Sequence, residues 1–259
     1  VTAPGLVGAT ETSTDTVWPC LPGRMAATLG CEVPEGALPL LWHWMLFQTW
    51  APRARIGADG HPQRGGFLPA LPDLPRRMWA GSRLSYAGEL HPGDAVTRIS
   101  TITGITEREG RSGRLVFVTV RHEIARDGGV VITEEQDLVY RAAAAAALGS
   151  APAGAVPDGV VVRPDEVMLF RYSALTGNGH RIHYDAPYAA GAEQYPALVV
   201  HGPLVATLLC GLLQRPPQTL TIRALKPAFV GEDLHMVREA QVLQAFNARG
   251  EVCMSVTAD

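Results

Sequence analysis

Four strand candidates follow one another in the first half of the chain: "SRLSYAGEL" (Ser82–Leu90), "AVTRISTITGITER" (Ala95–Arg108), "GRLVFVTVRHEIAR" (Gly113–Arg126) and "VVITEEQDLVYR" (Val130–Arg141). The short turn signals "HPGD", "EGRSG" and "DGG" join them, so the run is expected to fold as an antiparallel meander. Ahead of it lies "LPLLWHWMLFQTW" (Leu38–Trp50), predicted as a helix with Pro39 in its first turn and with Trp42, Trp44, Phe47 and Trp50 in the core. A helix that apolar has no face for water, so a sheet must wrap it.

The same order recurs in the second half. "PLVATLLCGLLQ" (Pro203–Gln214) reads as a second apolar helix, and "LTIRAL", "LHMVREAQVLQAF" and "EVCMSVTA" follow as strands, the last two separated by the turn "NARG". The punctuation "LHPGD" (Leu90–Asp94) has a counterpart in "FVGED" (Phe229–Asp233). Two copies in tandem predict an α+β pseudo-dimer whose sheets can join. Between them "AAAAAALGSAPAGAVP" (Ala142–Pro157) reads as a linker, although its first half could extend a helix, alanine being the best helix former. The expected division is an N-terminal domain over 1–141, a linker over 142–158 and a C-terminal domain over 159–259.

At 259 residues and 47% hydrophobic content, the chain can bury one large core or two ordinary ones. A net charge of −3 with scattered basic residues leaves no footprint for nucleic acid. The cysteines Cys20, Cys31, Cys210 and Cys253 lie far apart and read as reduced thiols. No apolar run is long enough for a membrane span and the first residues do not read as a signal peptide, so a cytoplasmic location is expected.

The chemistry concentrates in "RYSALTGNGHRIHYDAPYA" (Arg171–Ala190) and "YPALVVHGPLVATLL" (Tyr195–Leu209). These stretches resemble the motif of MaoC-like, (R)-specific enoyl-thioester hydratases, a short "Y-S-x-x-S-G-D-x-N-P-I-H" segment followed by a helix that begins "HG". The spelling here is closer to mitochondrial type 2 hydroxyacyl-thioester dehydratases and to bacterial mesaconyl-CoA and itaconyl-CoA hydratases. The resemblance is specific over 171–213 and looser at "LPRRMWAGSRLSYAGEL" (Leu74–Leu90). It implies a double hot-dog fold, each sheet wrapped around a long helix, and reversible hydration of an enoyl thioester, plausibly of a short branched dicarboxylic acyl group. No bound cofactor is implied: CoA, or the pantetheine arm of an acyl carrier protein, enters with the substrate. Pairing of two copies into a homodimer stays open.

Hydration needs a base for water, a proton for the α carbon and a dipole for the enolate oxygen. His183 suits the acid/base work, because imidazole titrates near neutrality, and the resemblance makes it catalytic. The family's aspartate is replaced here by Asn178, whose amide can orient water but cannot share the titration. The helix starting near "HGPLVA" has unpaired first N–H groups at the positive end of its dipole, and the resemblance assigns the oxyanion contact to Gly202.

Tyr172, His180, Arg181 and His201 are read as facing substrate, the alternatives being the core for Tyr172, a structural or supporting role for His180 and anchorage of the turn for His201. Tyr172 and Ser173 are placed on a strand, where alternation sends them to opposite faces. Arg76 and Arg77 would meet a CoA phosphate or a substrate carboxylate, or else lie in a solvated loop. Asp185 is read first as a helix cap and second as chemistry. His180 and His183 have H-x-x-H spacing, yet no third and fourth ligand is visible nearby, so no metal is expected. The first half carries no copy of the motif and is expected only to shape the acyl pocket. The competing readings are a thioesterase, for which Asp185 and Glu193 are the nearest carboxylates, and a non-catalytic thioester-binding subunit.

Overall fold

The computed structural model describes residues 3–110, 113–142 and 154–259. The stretch read as a linker lies mostly outside them. Ten strands form one sheet in the order β1-β3-β4-β5-β2-β7-β10-β9-β8-β6. The first half supplies β1 (Thr10–Thr16), β2 (Arg76–Tyr86), β3 (Ala95–Gly110), β4 (Gly113–Arg126) and β5 (Gly129–Arg141). The second supplies β6 (Val160–Val162), β7 (Thr219–Ala224), β8 (Leu234–Glu239), β9 (Val242–Phe246) and β10 (Val252–Ala258). Every pairing is antiparallel. Outward from the β2–β7 junction the halves repeat one order, so the tandem meanders join into a single sheet.

The long hairpins fall close to where their turn residues place them. β4 buries Val116, Val118 and Val120 at alternate positions, the period of a strand with one face on a core. Those side chains pack with Tyr140 against Leu71 and Leu74. The segment "LHMVREAQVLQAF" is two strands, because Ala240, in a left-handed backbone (φ 52°), turns the chain between β8 and β9.

The helices depart further from expectation. Leu38–Trp50 forms only a short 3-10 turn at Trp42–Met45, and the helix of this half is α1 (Leu21–Leu29). Leu41 and Phe47 both have positive φ, which no helix tolerates. Tertiary bonds hold that shape: Asp15 accepts from the Phe47 N–H at 2.7 Å, and Glu134 accepts from Trp44 Nε1 at 3.0 Å. Trp42 and Phe47 are buried as expected, whereas Trp44 is only partly buried and Trp50 is 79% exposed. Residues 171–176 lie on α2 (Glu166–Thr176) and not on a strand. Asp165 caps α2 by accepting from the Met168 N–H at 2.7 Å.

The second apolar helix is α4 (Gly202–Cys210), one turn shorter than predicted, packed on β9 and β10. Leu204 and Leu209 are fully buried in the main core with Leu169 of α2 and Met25 of α1. Burial of each such leucine contributes about 1.5–3 kcal/mol, enough to hold the start of α4 in place. No helix among the described residues is long and apolar enough to cross a membrane.

Candidate active site

Gly177 ends α2 in the left-handed conformation (φ 62°) and turns the chain into the segment Asn178–His183. The Asn178 N–H still donates to Ser173 O at 2.9 Å. Its side-chain oxygen accepts from the His180 N–H at 3.0 Å, closing an Asx turn. A 3-10 turn over Arg181–His183 then carries His183 inward, braced by Val199 N–H donating to Ile182 O at 3.0 Å.

His183 Nδ1 lies 2.7 Å from the Val199 carbonyl. A carbonyl only accepts, so Nδ1 carries the proton and Nε2 keeps its lone pair. The ring is 7% exposed and stacks on His201 with centroids 3.6 Å apart. Burial pushes the His183 imidazolium down to about 4, against the pull of the Val199 carbonyl, so the resting ring is neutral. His201 Nε2 meets Ser173 Oγ at 2.9 Å, and His201 is pushed well down by burial and by the neighbouring histidines.

These groups open on a cavity of about 710 Å³, within the usual range for a ligand of drug size. Asn178, His180, His183, His201 and Gly202 line it from the second half, and Asp59, His61, Arg76, Arg77 and Trp79 from the first. Gly202 opens α4, with Pro203 next, and the capping residue His201 offers no side-chain bond to the first turn. A Cβ on Gly202 would press on the Trp79 ring at 3.0 Å, so the indole would have to give by a few tenths of an ångström to admit one.

Two residues read as facing substrate do not line the cavity. Tyr172, 1% exposed, lies in the main core with its ring 5.1 Å from that of His201, because α2 turns it inward. Arg181 pairs with Asp185 at 2.7 Å, donates to Ala58 O at 2.9 Å and lies over the Tyr188 ring at 4.2 Å; it clamps two loops together. Asp185 caps α3 (Ala186–Gly191), accepting from the Tyr188 N–H at 3.0 Å, as its position before "APYAA" predicts. Arg76 forms a buried ion pair with Glu193 at 2.7 Å and ties β2 to the loop after α3. Arg77 makes no ion pair among the described residues, and its charge bears on His61 and His180.

The first half also brings polar side chains to the cavity wall. Asp59 and His61, from the loop "GADGHP", stand beside His180, with one potential ligand atom of each within 4.8 Å of the others. That loop, far away in the chain, joins His180 and not His183, so the cluster is separate from the H-x-x-H pair. The visible signal was a histidine and an aspartate set among glycines and a proline, a composition suited to a shaped loop.

A family model described as hydroxyacyl-thioester dehydratase type 2 matches residues 41–230. A mesaconyl-C(4)-CoA hydratase of Chloroflexus aurantiacus is 45% identical over 237 residues, covering 86% of this chain and 84% of that protein. Among solved structures, HtdX of Mycobacterium tuberculosis superposes with a TM-score of 0.69 at 19% identity, covering 95% of this chain and 98% of the other. A second protein of that organism, described as a double hot-dog fold, superposes with a TM-score of 0.56 at 11% identity over 97% of this chain and 95% of its own. The fold is the double hot dog that the family resemblance implied.

Proposed function

Since the chain belongs to the hydroxyacyl-thioester dehydratase type 2 family, we propose that it is a hydro-lyase catalysing reversible hydration of an enoyl thioester, with a short branched dicarboxylic acyl-CoA such as mesaconyl-CoA as substrate. The observation that carries this reading is the fixed tautomer of His183. With Nδ1–H held by Val199, the Nε2 lone pair is left as the base, in a cavity that also holds the first turn of α4.

The thioester carbonyl lies at the start of α4, where the Gly202 N–H and the positive end of the helix dipole meet the oxygen that gains charge. Water at His183 Nε2 gives up a proton as its oxygen bonds to the β carbon. Burial keeps the imidazole neutral, so it begins the cycle able to accept that proton. Arg77 supplies a cation for a second, free carboxylate of the acyl group. We assign catalysis to the second half (159–259) and much of the pocket wall to the first (1–141), and place the enzyme in the cytoplasm.

Hydrolysis of the thioester is less well supported. The carboxylates it would call on, Asp185 and Glu193, are engaged by Arg181 and Arg76.

The test follows the ultraviolet band of crotonyl-CoA and mesaconyl-CoA while a thiol reagent reports free CoA. Loss of the band without thiol release, abolished in His183→Ala, is the expected result. Thiol release in step with band loss would make the protein a thioesterase, and a silent, folded protein would make it a binding subunit.

A further inference from the structure

One wall of the cavity carries a file of polar side chains that the hydration reading leaves unused. Asp59 Oδ2 lies 3.4 Å from His61 Nδ1, and Asp59 Oδ1 accepts from the His61 N–H at 3.1 Å. With a carboxylate on Nδ1, the His61 proton sits there and Nε2 keeps a lone pair. The His61 ring is 4.4 Å from that of His180, and the His180 ring stands edge-on to His183 with centroids 5.6 Å apart. Carboxylate, imidazole and imidazole therefore run in sequence towards the base.

The file is held from both halves. Arg181 N–H donates to Asp59 O at 2.9 Å, and the Arg181 guanidinium donates to Ala58 O at 2.9 Å. Burial alone would raise the Asp59 carboxyl, but hydrogen bonds from His61 and the nearby imidazoles hold it well below the usual carboxylate range. Burial, with the neighbouring His61 and His183, pushes His180 down to about 2, so this ring is neutral and able to accept a hydrogen bond.

Asn178 also lines the cavity. Its oxygen is engaged by the His180 N–H, and an amide takes up no proton near neutrality. A water held at His183 Nε2 by one hydrogen can still rotate. A second acceptor is needed to aim its oxygen lone pair at the β carbon.

We propose that His180, backed by His61 and Asp59, is the second water-holding group of the hydration site, so that the active site is built across both halves. The proposal rests on the hydration reading above. The water oxygen forms the C–O bond at the β carbon while one of its protons passes to His183 Nε2, and the other hydrogen points at His180. The C=C electron pair shifts into the thioester as an enolate, and the α carbon then takes the proton back from His183. One water is added, and the Asp59–His61–His180 file ends as it began. His180 is the catalytic residue of the three; His61, packed against its ring, and Asp59, behind His61, are positioning residues that set its orientation.

The experiment measures kcat and KM for crotonyl-CoA and mesaconyl-CoA with wild type, His180→Ala, His61→Ala, Asp59→Ala, Asp59→Asn and the double variant Asp59→Ala/His61→Ala, thermal melts confirming the fold of each. His180→Ala is expected to lower kcat on the order of 10²-fold and His61→Ala about 10-fold, on both substrates and with little change in KM. Asp59→Asn, which can still accept from Nδ1–H, is expected to retain more activity than Asp59→Ala. The double variant should be no slower than His61→Ala, because Asp59 acts through that ring. Adding Asn178→Asp to His61→Ala is expected to recover part of kcat by placing a carboxylate on the same wall.

Unchanged kcat in folded His180→Ala would overturn the proposal while leaving hydration intact. A loss confined to KM for mesaconyl-CoA would make the file a carboxylate pocket instead. Loss of wild-type activity with EDTA, restored by zinc, would make the three residues metal ligands. A wild type that hydrates neither substrate fails before any variant is compared, and removes the hydration reading together with this one.

Discussion

Gly60 and Gly179, one from each half of the chain, meet backbone to backbone: a Cβ on Gly60 would fall 1.9 Å from the Gly179 carbonyl oxygen. Gly60 also has φ +90°, a conformation that side chains rarely adopt. The contact sets the loop of Asp59 and His61 against the segment of Asn178 and His180. Gly60→Ala is expected to cost about 1–3 kcal/mol in backbone strain alone, before the clash. A lowered Tm together with a loss of hydration larger than the loss of folded protein would confirm it, and a variant with wild-type Tm and kcat would refute it.

His183 is oriented by one hydrogen bond to a carbonyl, which leaves its other nitrogen for the proposed base. His183→Ala is expected to lower kcat by about 10²–10⁴-fold, the usual range for an acid/base group. Substrate affinity should change little, since the proposed site for the thioester is the start of α4. Titration of CoA-ester binding to the variant separates the two effects.

The buried histidines set an acid limit on stability. His183 and His122 are each depressed to about 4, mainly by burial, from an ordinary value of 6.5. Below about 6.5 the unfolded chain takes up protons that the folded one refuses. Stability is therefore full above 6.5 and falls as pH drops from there towards 4. Chemical denaturation at a series of pH values checks this, and midpoints that stay flat across the window would contradict it. The activity of the neutral His183 base should likewise persist down to about pH 5.

Glu134, a buried carboxylate, faces the aromatic turn of the first half. It accepts from Ser82 Oγ at 2.7 Å and from Trp44 Nε1 at 3.0 Å, and lies 3.2 Å from His43 Nε2. Burial would raise its carboxyl, yet the bonds from His43 and Ser82 bring it down to about 2. Glu134→Ala leaves these partners buried and unsatisfied and is expected to cost about 3–5 kcal/mol. Glu134→Gln should cost less, because its oxygen still accepts. The carboxylate's stabilisation is complete above about 4.5 and is lost as pH falls through about 2.

Arg76 and Arg77 are adjacent but have separate roles. Arg76 is buried against Glu193, so Arg76→Ala is expected to lower Tm with both substrates affected alike. Arg77→Ala should leave Tm nearly unchanged and raise KM for mesaconyl-CoA several-fold, with crotonyl-CoA, which has no second carboxylate, much less affected. Equal KM changes for the two esters would remove Arg77 from recognition of the acyl group.

Much of this molecule was legible in its sequence because the signals are local. Period-two alternation and turn residues located β3, β4 and β5, and the unbroken apolar run marked α4, since strand and helix patterns depend on near neighbours. Asp185 before "APYAA" announced its cap for the same reason. The aromatic run at Leu38–Trp50 misled, because its partners Asp15 and Glu134 lie elsewhere in the chain and impose left-handed turns on an apolar segment. Tyr172 was misplaced by one mistaken element, which exchanged a strand face for the inward side of α2.

The sequence by itself determined the tandem meanders, the motif around His183 and the helix start at Gly202. Only the tertiary structure decided which nitrogen of His183 is engaged by a carbonyl, that Arg181 clamps loops away from the cavity, and that Asp59 and His61 stand beside His180. Periodicity and turn chemistry act over a few residues. The meeting of two loops across more than a hundred depends on the closure of one sheet at β2 and β7, which no local pattern records.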